Sequence, residues 1–134
     1  MRVATATVMT ALVLTAGGVP VAAAETTAPP EVPAGGRMVF KDNPAIVHPH
    51  RAAIESWSRA TVENAVAVNF ASGTPECSGV HATVDETADT VTVDLQGGTL
   101  PEAFGRMCIM LAVFGTLEVP LQSPLGDRRV LSAS

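Results

Sequence analysis

The clearest pattern along the chain is an alternation of apolar and polar positions between residues 80 and 95. Val80, Ala82 and Val84 alternate with His81, Thr83 and Asp85; Val91, Val93 and Leu95 alternate with Thr92 and Asp94. A period of two sends one row to a buried face and the other to water, so the two runs predict a β-hairpin turning at Glu86–Asp89. Pairing Val84 with Val91 keeps both apolar rows on one face. That register sets Thr83 across from Thr92 and His81 across from Asp94.

Flanking segments extend the β pattern. Arg37 to Phe40 predicts a short strand, and Lys41 to His50, broken by Asn43-Pro44 and Pro49, predicts a loop. Residues 55–70 fit either a helical stripe (Ile54, Trp57, Thr61, Ala65, Val68) or a strand face (Val66, Val68, Phe70). The preferred expectation is a strand near Trp57, a turn near Glu63-Asn64 and a strand from Ala65 to Phe70. Thr99-Leu-Pro-Glu102 has the form of a capping box with an early proline. A helix from there to Gly115 competes with one helical turn broken near Gly105 and a buried strand from Met107 to Phe114. The second is preferred because Phe114-Gly115-Thr116-Leu117 suits a two-residue turn with glycine first. Leu117, Val119 and Leu121 then alternate with Glu118, Pro120 and Gln122, and Pro120 predicts an edge strand. Pro124–Asp127 is a further turn, and Arg129 to Leu131 predicts a closing strand. The sum is an all-β fold: a small sandwich or partly open barrel of about six or seven short strands, with at most one short helix near residues 99–106.

The N-terminus adds a compartment. Met1-Arg2 is followed by a weakly apolar stretch to about Ala16, a break at Gly17, Gly18 and Pro20, and the small residues Ala22-Ala23-Ala24. This is the order of a secretory signal peptide over residues 1–24, cut before Glu25. No cysteine follows the cut to carry a lipid anchor. Residues 25–36 are rich in Pro, Gly and Thr and predict a disordered leader, leaving 37–134 as a single β-rich domain. The expected location is secreted or extracytoplasmic. There the only two cysteines, Cys77 and Cys108, are expected to form a disulfide. Closing a loop of about thirty residues is worth roughly 3–4 kcal/mol in the chain-entropy model.

Charge narrows the partners. The chain carries −5, and loss of Arg2 leaves seven basic residues against thirteen acidic ones. The basic residues are scattered, so neither nucleic acid nor, after signal cleavage, a membrane is an expected partner.

The candidate chemistry is sparse. His48 and His50, with His81 elsewhere, are the metal-ligand candidates, and Met38, Met107 or Met110 could add sulfur for copper. An extended His-Pro-His puts both imidazoles on one side of the backbone, but neither a fourth ligand nor a known spacing accompanies them, and no cofactor is expected. His81 facing Asp94 has the form of a base with its orienting carboxylate, with Thr83 and Thr92 as the nearest hydroxyls. No nucleophile elbow, zinc-protease motif or phosphate loop is present. Glu76, Asp85, Glu86 and Glu102 fall mostly at turns, where solvated acids are ordinary. Arg128-Arg129 beside Asp127 predicts a solvated turn with Asp127 paired to an arginine. These residues point to a non-enzymatic domain that binds another extracellular or envelope protein or component, through strand Leu117 to Leu121 and the loop Lys41 to His50. The alternative is a small metal-binding or hydrolytic exported protein using His48, His50 and His81.

Four blocks, Trp57-Ser-Arg59, Thr74-Pro-Glu-Cys77-Ser-Gly-Val80, Val91-Thr-Val93 and Pro124-Leu-Gly-Asp-Arg128, add a resemblance. Together they are similar to small secreted or lipid-anchored hypothetical proteins of actinobacteria, of the mycobacterial type. The resemblance implies a β-rich, cysteine-bridged envelope domain and carries no activity to any residue. Lipid-anchored members have a cysteine at the cleavage site, which this chain lacks.

Overall fold

The computed structural model describes Gly17, Gly18 and residues 26–133. Apart from the two glycines, the expected signal peptide and its cut before Glu25 lie outside the described residues. The described part is all-β. Eight strands follow in order: β1 (Met38–Phe40), β2 (Val47–Arg51), β3 (Ser56–Arg59), β4 (Ala65–Ser72), β5 (Ser78–Glu86), β6 (Thr90–Thr99), β7 (Val113–Pro120) and β8 (Arg129–Ser132). One 3-10 turn, Pro101–Ala103, is the whole of the helix expected near 99–106. The strands form two sheets and no closed barrel. One has the order β1-β7-β4-β3; in the other, β5 lies on one side of β6, while β2 and β8 share its opposite side. Both sheets contain parallel and antiparallel pairs.

The core lies between them. Trp57, Val66, Val68, Phe70, Leu117 and Val119 from the first sheet cluster with Val80, Val91, Val93, Leu95 and Val130 from the second. Alternation explains the selection, since residues two apart share a face. Val91, Val93 and Leu95 are fully buried while Thr92, Asp94 and Gln96 between them are not. Gly115 sits where two aromatic rings converge. A Cβ there would stand 2.7 Å from Phe40 Cε2 and 2.8 Å from Phe70 Cε2, and those rings meet edge to face at 5.3 Å. Glycine is what allows that packing beneath the strand.

Several expectations are corrected. The hairpin keeps its parity but not its register. Val84 pairs with Val93, Thr83 with Asp94, and His81 with Gln96. The turn is tighter than expected because Thr87 and Thr90 close it themselves. Thr87 N–H donates to Thr90 O at 2.9 Å, Thr90 N–H donates to Thr87 Oγ1 at 2.9 Å, and the two hydroxyls are 2.8 Å apart. Such local side-chain bonds stabilise a short turn and pull two more residues into the ladder.

The expected loop Lys41 to His50 instead ends in strand β2, which pairs with β6 through a register shift between Val47 and His50. The expected two-residue turn at Gly115-Thr116 is absent, because Gly115 and Thr116 lie within β7, flanked by β1 and β4. Pro120 lies at the end of β7, beyond the reach of β1.

The run Met107 to Phe114 is not a buried strand. Residues 107–112 belong to no strand or helix, and Met107, Ile109, Met110, Leu111 and Phe114 are exposed. Cys108 must reach Cys77 beyond the end of β4, with 6.2 Å between their Cα atoms. The bridge therefore ties this run to the loop and strand end at Cys77 rather than to a ladder.

Part of the expected leader, residues 25–36, lies along the domain. Thr27 and Ser132 exchange backbone hydrogen bonds at 2.9 and 2.8 Å, while Val32 N–H donates to Trp57 O and Trp57 N–H to Pro30 O. Thr27 to Val32 thus runs from β8 of one sheet to β3 of the other. Prolines fit an edge segment of this kind, where an absent N–H costs nothing.

Candidate functional site

The three histidines do not converge. His81 pairs with Gln96 on one face of β6, whereas His50 pairs with Gly97 on the other, so their rows face opposite sides of the sheet. A Cβ on Gly97 would lie 3.5 Å from His50 Nε2, which places that ring on the Gly97 side. His48 has φ +51, a left-handed conformation rare for a residue with a side chain, so the segment is not the extended His-Pro-His expected. Its ring stands 5.6 Å from the ring of Phe104. Among the described residues, no three His, Cys, Asp or Glu side chains gather as metal ligands.

His81 has a carboxylate partner, but it is Asp42 and not Asp94. His81 Nδ1 lies 3.0 Å from both Asp42 oxygens, and Asp42 Oδ1 also accepts from Ala82 N–H at 2.8 Å. Residues 42 and 43 run beside β5, where Asn43 N–H donates to Val80 O. Among the described residues no hydroxyl or thiol bonds to this imidazole. Asp94 Oδ1 is buried and has no hydrogen-bond partner among the described residues.

Arg128 pairs with Glu86, not with Asp127. Glu86 falls on the core-facing row of β5, opposite Val91, which follows from the shifted register. Its Oε1 accepts from Arg128 Nη1 at 3.1 Å, and its Oε2 accepts from Gln122 N–H at 2.8 Å. Arg128 also donates to the carbonyls of Thr87, Ser123, Pro124 and Leu125. The Gln122 amide is the largest influence on Glu86 and lowers its pKa; partial burial opposes it, and Arg128 lowers it further. A guanidinium with its donors spent on backbone carbonyls ties the hairpin tip to the 122–128 loop. This is a structural joint.

The remaining feature is the segment from Phe104 to Phe114. Met107 and Met110 are fully exposed, and Phe104, Ile109, Leu111 and Phe114 each leave more than half their surface in water. Taking a large side chain as about 200 Å², these six expose on the order of 900 Å² of apolar surface. Large exposed apolar side chains gathered along one segment mark interaction sites. Residues 107–112 run without turn, bend or bridge, and among the described residues their backbone makes no hydrogen bond. The Cys77–Cys108 bridge is their tether to the sandwich. The segment borders an open cleft of about 600 Å³, whose lining includes Ile109, Met110, Leu111 and Ala112 together with Ser78 and Thr99. Arg106 is the one charged residue in its lining.

Sequence reasoning singles out Met107, Met110 and Cys108 but expects them in a buried strand. The useful signal was the composition of residues 107–112, where two methionines and a leucine replace the β-branched residues of a buried strand. Of the two expected contact surfaces, strand Leu117 to Leu121 and the loop Lys41 to His50, the loop keeps His48 and His50 exposed, while the strand turns its apolar row inward. Leu117, Val119 and Leu121 are core residues. No protein-family model, curated protein or solved structure matches this chain.

Proposed function

We propose that this is a non-enzymatic extracytoplasmic domain that binds another envelope or extracellular component through the disulfide-tethered segment Phe104–Phe114. The observation that carries the reading is the exposure of six large apolar side chains on a segment that a disulfide at Cys108 ties to Cys77. Holding such residues in water is unfavourable, and a covalent tether lowers the entropy lost when a partner covers them. Methionines suit the role because their flexible thioethers adapt to a partner surface. The signal-like N-terminus, the disulfide and the lack, among the described residues, of any helix able to cross a membrane fit export. The hydrolytic alternative has the His81–Asp42 pair in its favour, though no described hydroxyl or thiol bonds to its imidazole.

The test is retention of envelope extract on immobilised oxidised protein, beside a Met107→Ser/Ile109→Ser/Met110→Ser variant. The expected result is a component held by the wild type and lost by the variant. Equal retention by both would remove the segment as the contact.

A further inference from the structure

Resting on that reading, we infer that the cleft bordered by the segment binds a free single-chain anionic amphiphile, such as a long-chain carboxylate, with its tail against the apolar wall and its head at Arg106. The cleft, about 600 Å³, falls in the size range of small-molecule sites. Its wall of Ile109, Met110, Leu111 and Ala112 offers a tail contacts that water cannot make. Ser78 and Thr99 are the hydroxyl-bearing residues of the same lining.

Charge selects the head group. All thirteen carboxylates of the chain lie outside residues 103–117, the longest acid-free stretch after residue 25. The chain as a whole carries −5, a charge that repels anions. Arg106 is the single cation of that stretch and lines the cleft. Its side chain makes one long hydrogen bond, Nη1 to Glu102 O at 3.4 Å, which leaves guanidinium donors for a carboxylate.

The same facts favour a free amphiphile over a bilayer. The unpaired backbone groups of 107–112 would lose their water in hydrocarbon without replacement, a cost that keeps irregular segments out of membranes. A tail lying in an open cleft leaves those groups hydrated.

Binding of palmitate below its micelle concentration, followed by tryptophan-independent calorimetry, tests the assignment. Wild-type protein should bind palmitate with one site, and the alcohol of equal length roughly tenfold more weakly, the share expected of one charge-assisted hydrogen bond. Arg106→Gln should lose about the same tenfold for palmitate and nothing for the alcohol. Leu111→Asp, which puts a like charge on an exposed wall position, should weaken palmitate more than the alcohol. Octanoate, with half the tail, should bind far less. Absence of palmitate binding overturns the inference, as do equal affinities for acid and alcohol or an unaffected Arg106→Gln. Binding only to palmitate-containing vesicles, or ligand-free dimerisation that buries the segment, overturns it too. If palmitate fails while the extract component is still lost by the triple variant, the contact segment stands and only its ligand is wrong.

Discussion

Residues 65–70, Ala-Val-Ala-Val-Asn-Phe, and residues 107–112, Met-Cys-Ile-Met-Leu-Ala, are both short and mostly apolar, and the fold treats them in opposite ways. The first is the start of β4, with Val66, Val68 and Phe70 among the most buried side chains. The second lies in solvent. The difference lies in the backbone before it lies in the side chains. β4 has β3 on one side and β7 on the other, so its amides are paired along both edges. Residues 107–112 have no ladder on either side. A buried segment must satisfy every N–H and C=O, and apolar side chains alone cannot meet that condition. Even the polar exception in β4 obeys it, because buried Asn69 donates to the hydroxyls of Ser56 and Ser58 at 3.0 and 3.2 Å.

The largest effect should come from the buried member of the comparison. Phe70→Ala removes a ring packed on Phe40 and over Gly115, and should cost about 3–5 kcal/mol by denaturant unfolding. A loss below 1 kcal/mol would mean that the two sheets do not meet as described.

Next is the tether. Replacing both cysteines, Cys77→Ser with Cys108→Ser, should lower stability by about 3–4 kcal/mol through the unfolded chain, while the sandwich still folds. Near-identical unfolding curves for the oxidised wild type and the double variant would contradict this.

The Glu86–Arg128 joint comes third. Glu86→Gln should cost about 1–3 kcal/mol at neutral pH, as for hydrogen bonds to charged groups. The folded pKa of Glu86 lies below its ordinary value of 4.5. Its contribution is therefore complete above the unfolded pKa and fades as pH falls through the folded one. Stability of wild type and variant should converge on acidification below pH 4.5. A difference that stays constant would assign the effect to packing.

The smallest effect belongs to the exposed member. Met107→Ser and Met110→Ser should each change stability by less than about 0.5 kcal/mol, as surface substitutions do. With peroxide, these two methionines should oxidise ahead of half-exposed Met38, read by peptide mass spectrometry.

The legible parts of the fold were those where alternation repeats. Val80 to Val84 and Val91 to Leu95 declare a hairpin, because burial on one face leaves a period of two in the sequence, whereas residues 55–70 fit a helical stripe as well as the strand found at Ala65–Ser72. The parity of the hairpin was readable and its register was not. Thr87 and Thr90 shorten the turn through side-chain bonds that no hydrophobic pattern encodes. The pairing of β1 beside β7, parallel and far apart in sequence, leaves no local mark. The candidate segment was misread because a continuous apolar run looks alike whether it is buried or presented. His81 was seen as a histidine needing a carboxylate, but its partner Asp42 comes from a distant loop that sequence spacing cannot bring near.

Hydrogen exchange tests the central contrast most directly. Oxidised protein is diluted to a concentration too low for self-association and followed peptide by peptide. Amides of residues 66–70 should exchange only through rare opening of the sandwich, at rates set by its stability. Amides of residues 107–112 should exchange within seconds, like an unpaired chain. Protection of 107–112 comparable to that of β4 would show that the segment is paired and buried, and would remove both the contact surface and the cleft built on it.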